Sequence, residues 1–311
     1  MNDARSAETQ PQGLSLRGLG VGLATLALLL LGLAVRSGIV YGLVVLAVIF
    51  IPLEKLLALH PRRILRARWR TDVVHLVVNQ VFSGVGVIAF AVIGVIALRW
   101  AVPAGLQDAV AAQPGWSQLI EALLVADFAG YWAHRATHQV PLLWRFHKVH
   151  HSIEEMDWLA AGRLHPLDQS FTRACSAVPL YLLGFSRATF GGWLIVLTLS
   201  AIFIHANVRL RFGALRWVIT TPEYHHWHHT AEAAGVNTNF AGQLPLLDLL
   251  FGTAHLPDRW PHRYGIDEPT PAGYLAQLVW PFRHTETPQQ VAGSVASAAA
   301  DATRSCPGVV D

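Results

Sequence analysis

Long apolar runs restrict the fold of this chain more than any other feature. One extends from about Leu16 to Val35 and a second from about Ile39 to Leu59. A third covers about Val73 to Val102, and a fourth Trp116 to Trp132. About 20 apolar residues cross the hydrocarbon core of a bilayer as a helix. Lipid offers the backbone no hydrogen-bond partner, so such runs must satisfy their own N–H and C=O groups as helices. Only 14% of the residues are charged, against about 25% in a soluble domain. The predicted fold class is an all-α integral membrane bundle with about four transmembrane helices.

Residues 174–205 form a further apolar stretch, interrupted around Gly184 to Arg187 and at Gly191 and Gly192. It is predicted to be a short helical hairpin, re-entrant or spanning, that returns His205 to the side of His165. Arg62, Arg63, Arg66, Arg68 and Arg70 crowd one loop, whereas Ala101 to Gly115 contains no Lys or Arg. Positive loops stay cytoplasmic, so both termini and the inner end of the fourth helix are assigned to the cytoplasm. The arginine loop reads either as a topology signal with headgroup contacts or as a docking surface for an acidic electron donor. Apolar segments on both sides of it exclude nucleic acid as a partner.

The remaining divisions follow from composition. Residues 1–14 are polar and expected to be disordered; 15–115 are the membrane helices; 116–265 hold most of the histidines. Residues 266–284 are expected to contain a short interfacial helix, and 285–311, rich in Ala, Ser, Thr and Gln, a disordered tail. The N-terminal run lacks a small-residue cleavage site and reads as a retained anchor. Cys175 and Cys306 make no CxxC pair, which excludes a disulfide framework and a zinc ribbon.

Eleven of the sixteen histidines fall between His134 and His229. They form HxxxH at His134 and His138, HxxHH at His147, His150 and His151, and HxxHH at His225, His228 and His229. Residues three and four apart share a helix face, so each cluster offers several imidazoles to one side. His165 and His205 fall between the second and third clusters, and the hairpin brings both to the same side. Together the ten are expected to bind two metal ions in a cytoplasmic, histidine-rich cap, imidazole being a common ligand for Zn, Fe, Cu and Ni. His226 points off that face and is left out. Asp127 and Tyr131 precede His134 on its own face and are candidates to hold a ligand's second ring nitrogen.

Their contexts resemble the fatty acid hydroxylase/sterol desaturase superfamily of membrane di-iron enzymes. Asp127, Tyr131, Trp132, His134, Arg135 and His138 look like its first box. Leu143, Trp144 and the run His147 to Ser152 look like the second, and Arg163, His165 and Pro166 followed by His205 and Asn207 like the middle region. Thr221, Pro222, His225, Trp227 to Thr230, Asn239, Phe240, Asp248 and Phe251 to Thr253 look like the last box and its trailer. The chain departs from the pattern at Asp168, where a glutamate is common, and at Arg209, where some members have a histidine. It is most similar to the bacterial sterol-desaturase-like branch.

The resemblance implies two Fe ions, replaceable by Zn in purified protein, with O2 as co-substrate. It implies a lipid substrate (sterol-like, fatty acyl or other), hydroxylated or desaturated in a bacterial plasma membrane. Asn239 joins Asp127 and Tyr131 as a supporting residue. No His-Pro-Gly-Gly haem signature is present, so electrons come from an external ferredoxin or cytochrome b5-like protein with its reductase. Two rival readings are a zinc-dependent membrane hydrolase, for which no HExxH exists, and a haem or metal carrier, whose histidines are usually distributed along the spans.

Overall fold

The structure, a computed structural model, describes residues 38–61 and 66–283, with a few isolated positions between 27 and 34. Most of the first expected span, both chain ends, Arg62, Arg63 and His284 lie outside the described residues. The principal helices are α1 (Gly38–Leu56), α2 (Trp69–Leu98), α3 (Ala104–Ala111), α4 (Gly115–Gln139), α5 (Pro141–His151), α6 (Pro166–Leu182), α7 (Arg187–His205), α8 (Pro222–His228), α9 (Leu246–Leu250) and α10 (Tyr274–Val279). Among the described residues, β pairing is limited to isolated bridges, Ala58 with Val208 and Thr230 with Tyr264.

Among the described residues, two helices are long and apolar enough to cross a membrane, Trp69–Ala101 and Arg187–His205. Val85, Ile88 and Ile96 on α2 are about two-thirds exposed, an apolar face that water does not tolerate on this scale. The fourth expected span lies within α4, which is not one of the two.

Small residues set how closely the helices approach. A Cβ on Gly86 of α2 would collide with Ser170 of α6, and one on Gly94 would lie 3.1 Å from Val178. With no hydrophobic drive between helices in lipid, such close backbone contact carries the association. The α6–α7 hairpin turns at Gly184, whose φ of +83° suits glycine and whose Cβ would sit 2.9 Å from the Gln107 carbonyl. The expected second break is absent: α7 runs through Gly191 and Gly192. Gly192 instead packs against α4, where an added Cβ would lie 3.2 Å from Leu119.

The first half of α2 carries a buried polar stripe, Asp72, His75, Asn79 and Ser83. His75 hydrogen-bonds to Leu164 O at 3.0 Å and Gln277 Oε1 at 2.9 Å, and the Tyr274 hydroxyl donates to Asn79 Oδ1 at 3.3 Å. These contacts dock α10 against the bundle. Lys148 of α5 reinforces them by donating to both Glu268 oxygens at 2.8 Å while lying 4.3 Å from the Trp280 ring centre.

Arg66 departs from the expected surface role. It is 6% exposed and donates to Asp157 (2.6 and 2.7 Å) and Asp72 (2.5 Å). The other oxygen of Asp72 takes Arg163 at 2.5 Å. A guanidinium that is desolvated and shared between carboxylates cannot dock a partner. Of the arginine loop, Arg70 is exposed, and Arg68 is partly exposed and 3.3 Å from Glu154. Arg66→Gln should therefore act as a structural lesion, since removing one partner of a buried ion pair costs about 3–5 kcal/mol. Its unfolding temperature in detergent should fall well below that of Arg70→Gln. Equal, wild-type-like melting of both variants would contradict the buried network.

Candidate metal centre

Three helices around the site begin at a proline, Pro141 for α5, Pro166 for α6 and Pro222 for α8. Proline suits the first helical turn, where its missing N–H costs nothing. Helical spacing then does what the motifs require. α4 presents His134 and His138, α5 presents His147, His150 and His151, α7 ends on His205, and α8 presents His225 and His228 with His229 as its cap.

The rings gather into two groups. His134, His138, His147, His151 and His228 form one, and His150, His205, His225 and His229 the other. Within each, one nitrogen per ring lies within 4.8 Å of all the rest. The groups abut, with His151 and His229 stacked at 4.6 Å between ring centres.

The far side of each ring explains the near side. His134 Nδ1–H donates to Phe240 O (2.8 Å), His150 to Arg163 O (3.0 Å), His205 to Ala201 O (2.6 Å) and His228 to Thr238 O (2.8 Å). His147 Nδ1–H donates to Asp168 Oδ2 at 3.0 Å. These acceptors fix the proton on Nδ1 and leave a bare lone pair on Nε2. Yet the Nε2 atoms of His134 and His147 are 3.2 Å apart, as are those of His150 and His205. Neither member of either pair has a proton to share, so the lone pairs repel unless a cation lies between them. Metal–nitrogen bonds of about 2.1 Å place neighbouring ligand nitrogens about 3.0–3.4 Å apart. The Nε2 atoms of His205, His225 and His229 follow at 3.2 and 3.1 Å. Nε2 of His138, His151 and His228 is buried without a partner. The donor set fits two metal ions.

The remaining expected site residues fall elsewhere. His165 caps α6, its Nδ1 accepting from Leu167 N at 3.2 Å and its Nε2–H donating to Leu278 O at 3.1 Å; it enters neither group. His226 is fully buried, accepts from the Tyr264 hydroxyl at 2.9 Å and donates to Ala206 O at 3.2 Å. Asp127 and Tyr131 touch no ligand ring nitrogen. Asp127 accepts from Gln243 N and Leu244 N at 3.0 and 2.8 Å, and Tyr131 bonds the Thr253 hydroxyl at 2.9 Å. Asn239, at φ +57°, clamps His255 and Tyr224. Asp248 accepts from Phe240 N and Ala241 N, both at 2.8 Å. These residues shape a loop whose carbonyls, Thr238 O and Phe240 O, orient His228 and His134. Asp168 does what was expected of Asp127. Its signal was the turn-start position two residues after Pro166, which places it opposite α5.

A cavity of about 180 Å³ adjoins the first group. His134, His147 and His150 line one part, and Ala126, Leu164, Leu197 and Phe240 supply apolar wall. Burial, then the neighbouring His147, pushes His134 down to about 3. Burial holds His138, His151, His225, His228 and His229 well below the ordinary histidine value too.

Two predictions follow from this geometry. His151→Ala should reduce retained metal, because it removes an inward Nε2. His226→Ala should keep wild-type metal content but unfold at lower temperature, because the Tyr264 hydroxyl and Ala206 carbonyl lose their partner. Metal loss in His226→Ala equal to that in His151→Ala would overturn the grouping. The second concerns pH. Below about 6.5 an unfolded chain protonates its histidines, whereas the buried rings stay neutral, so the unfolded state binds more protons and stability falls as pH is lowered. Melting temperature and bound metal should both decline from pH 7 to pH 5; flat profiles would contradict buried, neutral ligands.

The comparisons with known proteins concern this same region. Residues 119–253 match the family model described as Fatty acid hydroxylase. Ornithine lipid hydroxylase OlsE of Rhizobium tropici is 39% identical over 166 residues, 53% of this chain and 50% of that protein. Alkylglycerol monooxygenase of Homo sapiens is 33% identical over 132 residues, 42% and 29% of the two chains. A very-long-chain aldehyde decarbonylase of Oryza sativa subsp. japonica is 32% identical over 176 residues, 48% and 26% of the two chains. The chain thus spans half or less of the curated relatives it matches. No solved structure is a significant match. The match takes in the first two histidine boxes, the third box and its trailing loop, so residues 119–253 are similar to the fatty acid hydroxylases and to these lipid-modifying relatives.

Proposed function

We propose that the protein is a membrane-bound di-iron oxygenase that hydroxylates or desaturates a lipid at an unactivated C–H bond. The observation that carries this is the pair of adjacent imidazole groups with inward lone pairs, set against an apolar-walled cavity. The names of the similar proteins, hydroxylase and monooxygenase acting on lipids, agree with it. When bound, two iron ions would supply O2 activation and hydrogen abstraction. His134, His138, His147, His151 and His228 would hold one, and His150, His205, His225 and His229 the other. Hydroxylation converts R–H, O2, two electrons and two protons to R–OH and water. Desaturation of –CH2–CH2– consumes the same reagents and yields –CH=CH– with two waters.

The chain's own contribution is positioning and exclusion of water. Backbone carbonyls orient His134, His150, His205 and His228 inward, and Asp168 does the same for His147. Ala126, Leu164, Leu197 and Phe240 keep the cavity apolar so that a lipid carbon can approach. The arginine loop and the histidine groups share one end of the bundle, through the contacts from Arg66 to Asp72, Arg163 and His150. With the positive-inside rule, that end faces the cytoplasm, where a ferredoxin or cytochrome b5-like donor supplies electrons.

Iron-loaded protein, given a reductant, 18O2 and a bacterial lipid extract, should produce a lipid that gains one labelled oxygen or loses two hydrogens. Asp168→Ala should lower this turnover or the metal affinity about 10- to 100-fold, as loss of a carboxylate behind a ligand histidine does. An unchanged extract with no O2 uptake from folded, iron-loaded protein would overturn the oxygenase reading. Zinc-supported cleavage of a lipid ester or amide, with oxygen taken from water and none from 18O2, would point to the hydrolase.

A further inference from the structure

The cavity beside the first histidine group contains a cation that the proposed chemistry does not use. Arg173 lines it, on the face of α6 that also presents Asp168 and Thr172. Among the described residues the Arg173 guanidinium has no hydrogen-bond or ion-pair partner. Of the two carboxylates of the same cavity, Asp127 is engaged by backbone amides and Asp168 by His147 through Oδ2, while Asp168 Oδ1 is buried without a hydrogen-bond partner and makes no ion pair with Arg173. A second donor is also unmet. Trp193 is 1% exposed and lines the cavity, and its Nε1–H is buried without an acceptor. The imidazoles that line the cavity carry no negative charge and cannot pair with the guanidinium.

A half-buried arginine inside an apolar bundle is unfavourable unless something compensates it. Arginine and indole N–H together call for an acceptor-rich anion, and the guanidinium fork suits a carboxylate or a phosphate. The cavity, at about 180 Å³, is smaller than the ~300–1,000 Å³ that encloses a drug-sized ligand. It accommodates the head end of a lipid and leaves the chains outside.

We propose that Arg173 and Trp193 form an anion subsite that binds the carboxylate or phosphate of the lipid substrate. This rests on the oxygenase reading and narrows it: the attacked carbon lies close to the anionic headgroup, because His134, His147 and His150 line the same cavity. Neutral lipids are poor substrates, and mid-chain positions lie beyond reach.

The test uses the full-length, metal-loaded protein in neutral maltoside detergent. Binding is read by isothermal titration with N-dodecanoylglycine (a carboxylate), dodecyl phosphate, the uncharged methyl ester of N-dodecanoylglycine, and inorganic phosphate alone. At least one anionic amphiphile should bind ten-fold or more tightly than the methyl ester, and whichever does so names the headgroup. Arg173→Gln should abolish that preference, Arg173→Lys should retain part of it, and Trp193→Phe should weaken anion binding several-fold. Equal binding of charged and neutral probes, a preference that survives Arg173→Gln, or inorganic phosphate binding as tightly as the amphiphiles would overturn the proposal. Metal content and iron-dependent O2 uptake are measured on the same preparation. Intact O2 uptake with no anion preference defeats the subsite alone, whereas absent metal and uptake defeat the oxygenase reading.

Discussion

The site depends on gathering nine imidazoles with ring nitrogens turned toward one another. The Nε2 lone pairs of His134 and His147, and of His150 and His205, repel at 3.2 Å, so the arrangement is unfavourable by itself and must be imposed from outside. The restraint comes mainly from backbone carbonyls, Phe240, Arg163, Ala201 and Thr238. Carbonyls cannot take up a proton, so they hold a tautomer more firmly than a titratable partner does. One carboxylate, Asp168, serves the same end for His147. The remaining polar core holds those carbonyls in place. Asp72 binds Arg163, whose carbonyl orients His150. Asp127, Asn239 and Asp248 clamp the loop that orients His134 and His228.

The apolar exterior makes this clamp necessary. Exposed apolar faces on α2 leave the bundle without a water-driven core along much of its surface. Close glycine contacts and buried polar ties therefore hold the helices. The ties concentrate at the histidine end, where α2, α5, α6 and α10 meet through His75, Asn79, Lys148 and Glu268. The cavity lies where that polar end meets the apolar part of the bundle.

Much of this was legible in the sequence, for a physical reason. HxxxH and HxxHH are helical spacings, so neighbours along the chain become neighbours on a face, and His226 drops off that face by the same rule. The α6–α7 hairpin was legible from Gly184. What sequence could not show was partnership across elements. His165 shares the His-Pro context of the family region, yet its ring is occupied by Leu167 N and Leu278 O. Arg66 looked like its loop neighbours until Asp72 and Asp157, from distant segments, enclosed it. Asp127 had helical spacing to His134, but the loop at Gln243 and Leu244 reached it first. Asp168 and Arg173 belong to a helix whose facing surface is known only once α4 and α5 are packed.

The most direct test of the account is the number of metal ions held by folded protein purified from iron-replete cells. Metal analysis by inductively coupled plasma mass spectrometry against amino-acid quantification should give about two ions per chain, one for each histidine group. A folded, lipid-modifying protein with no bound metal, or with a single ion that persists at saturation, would contradict it.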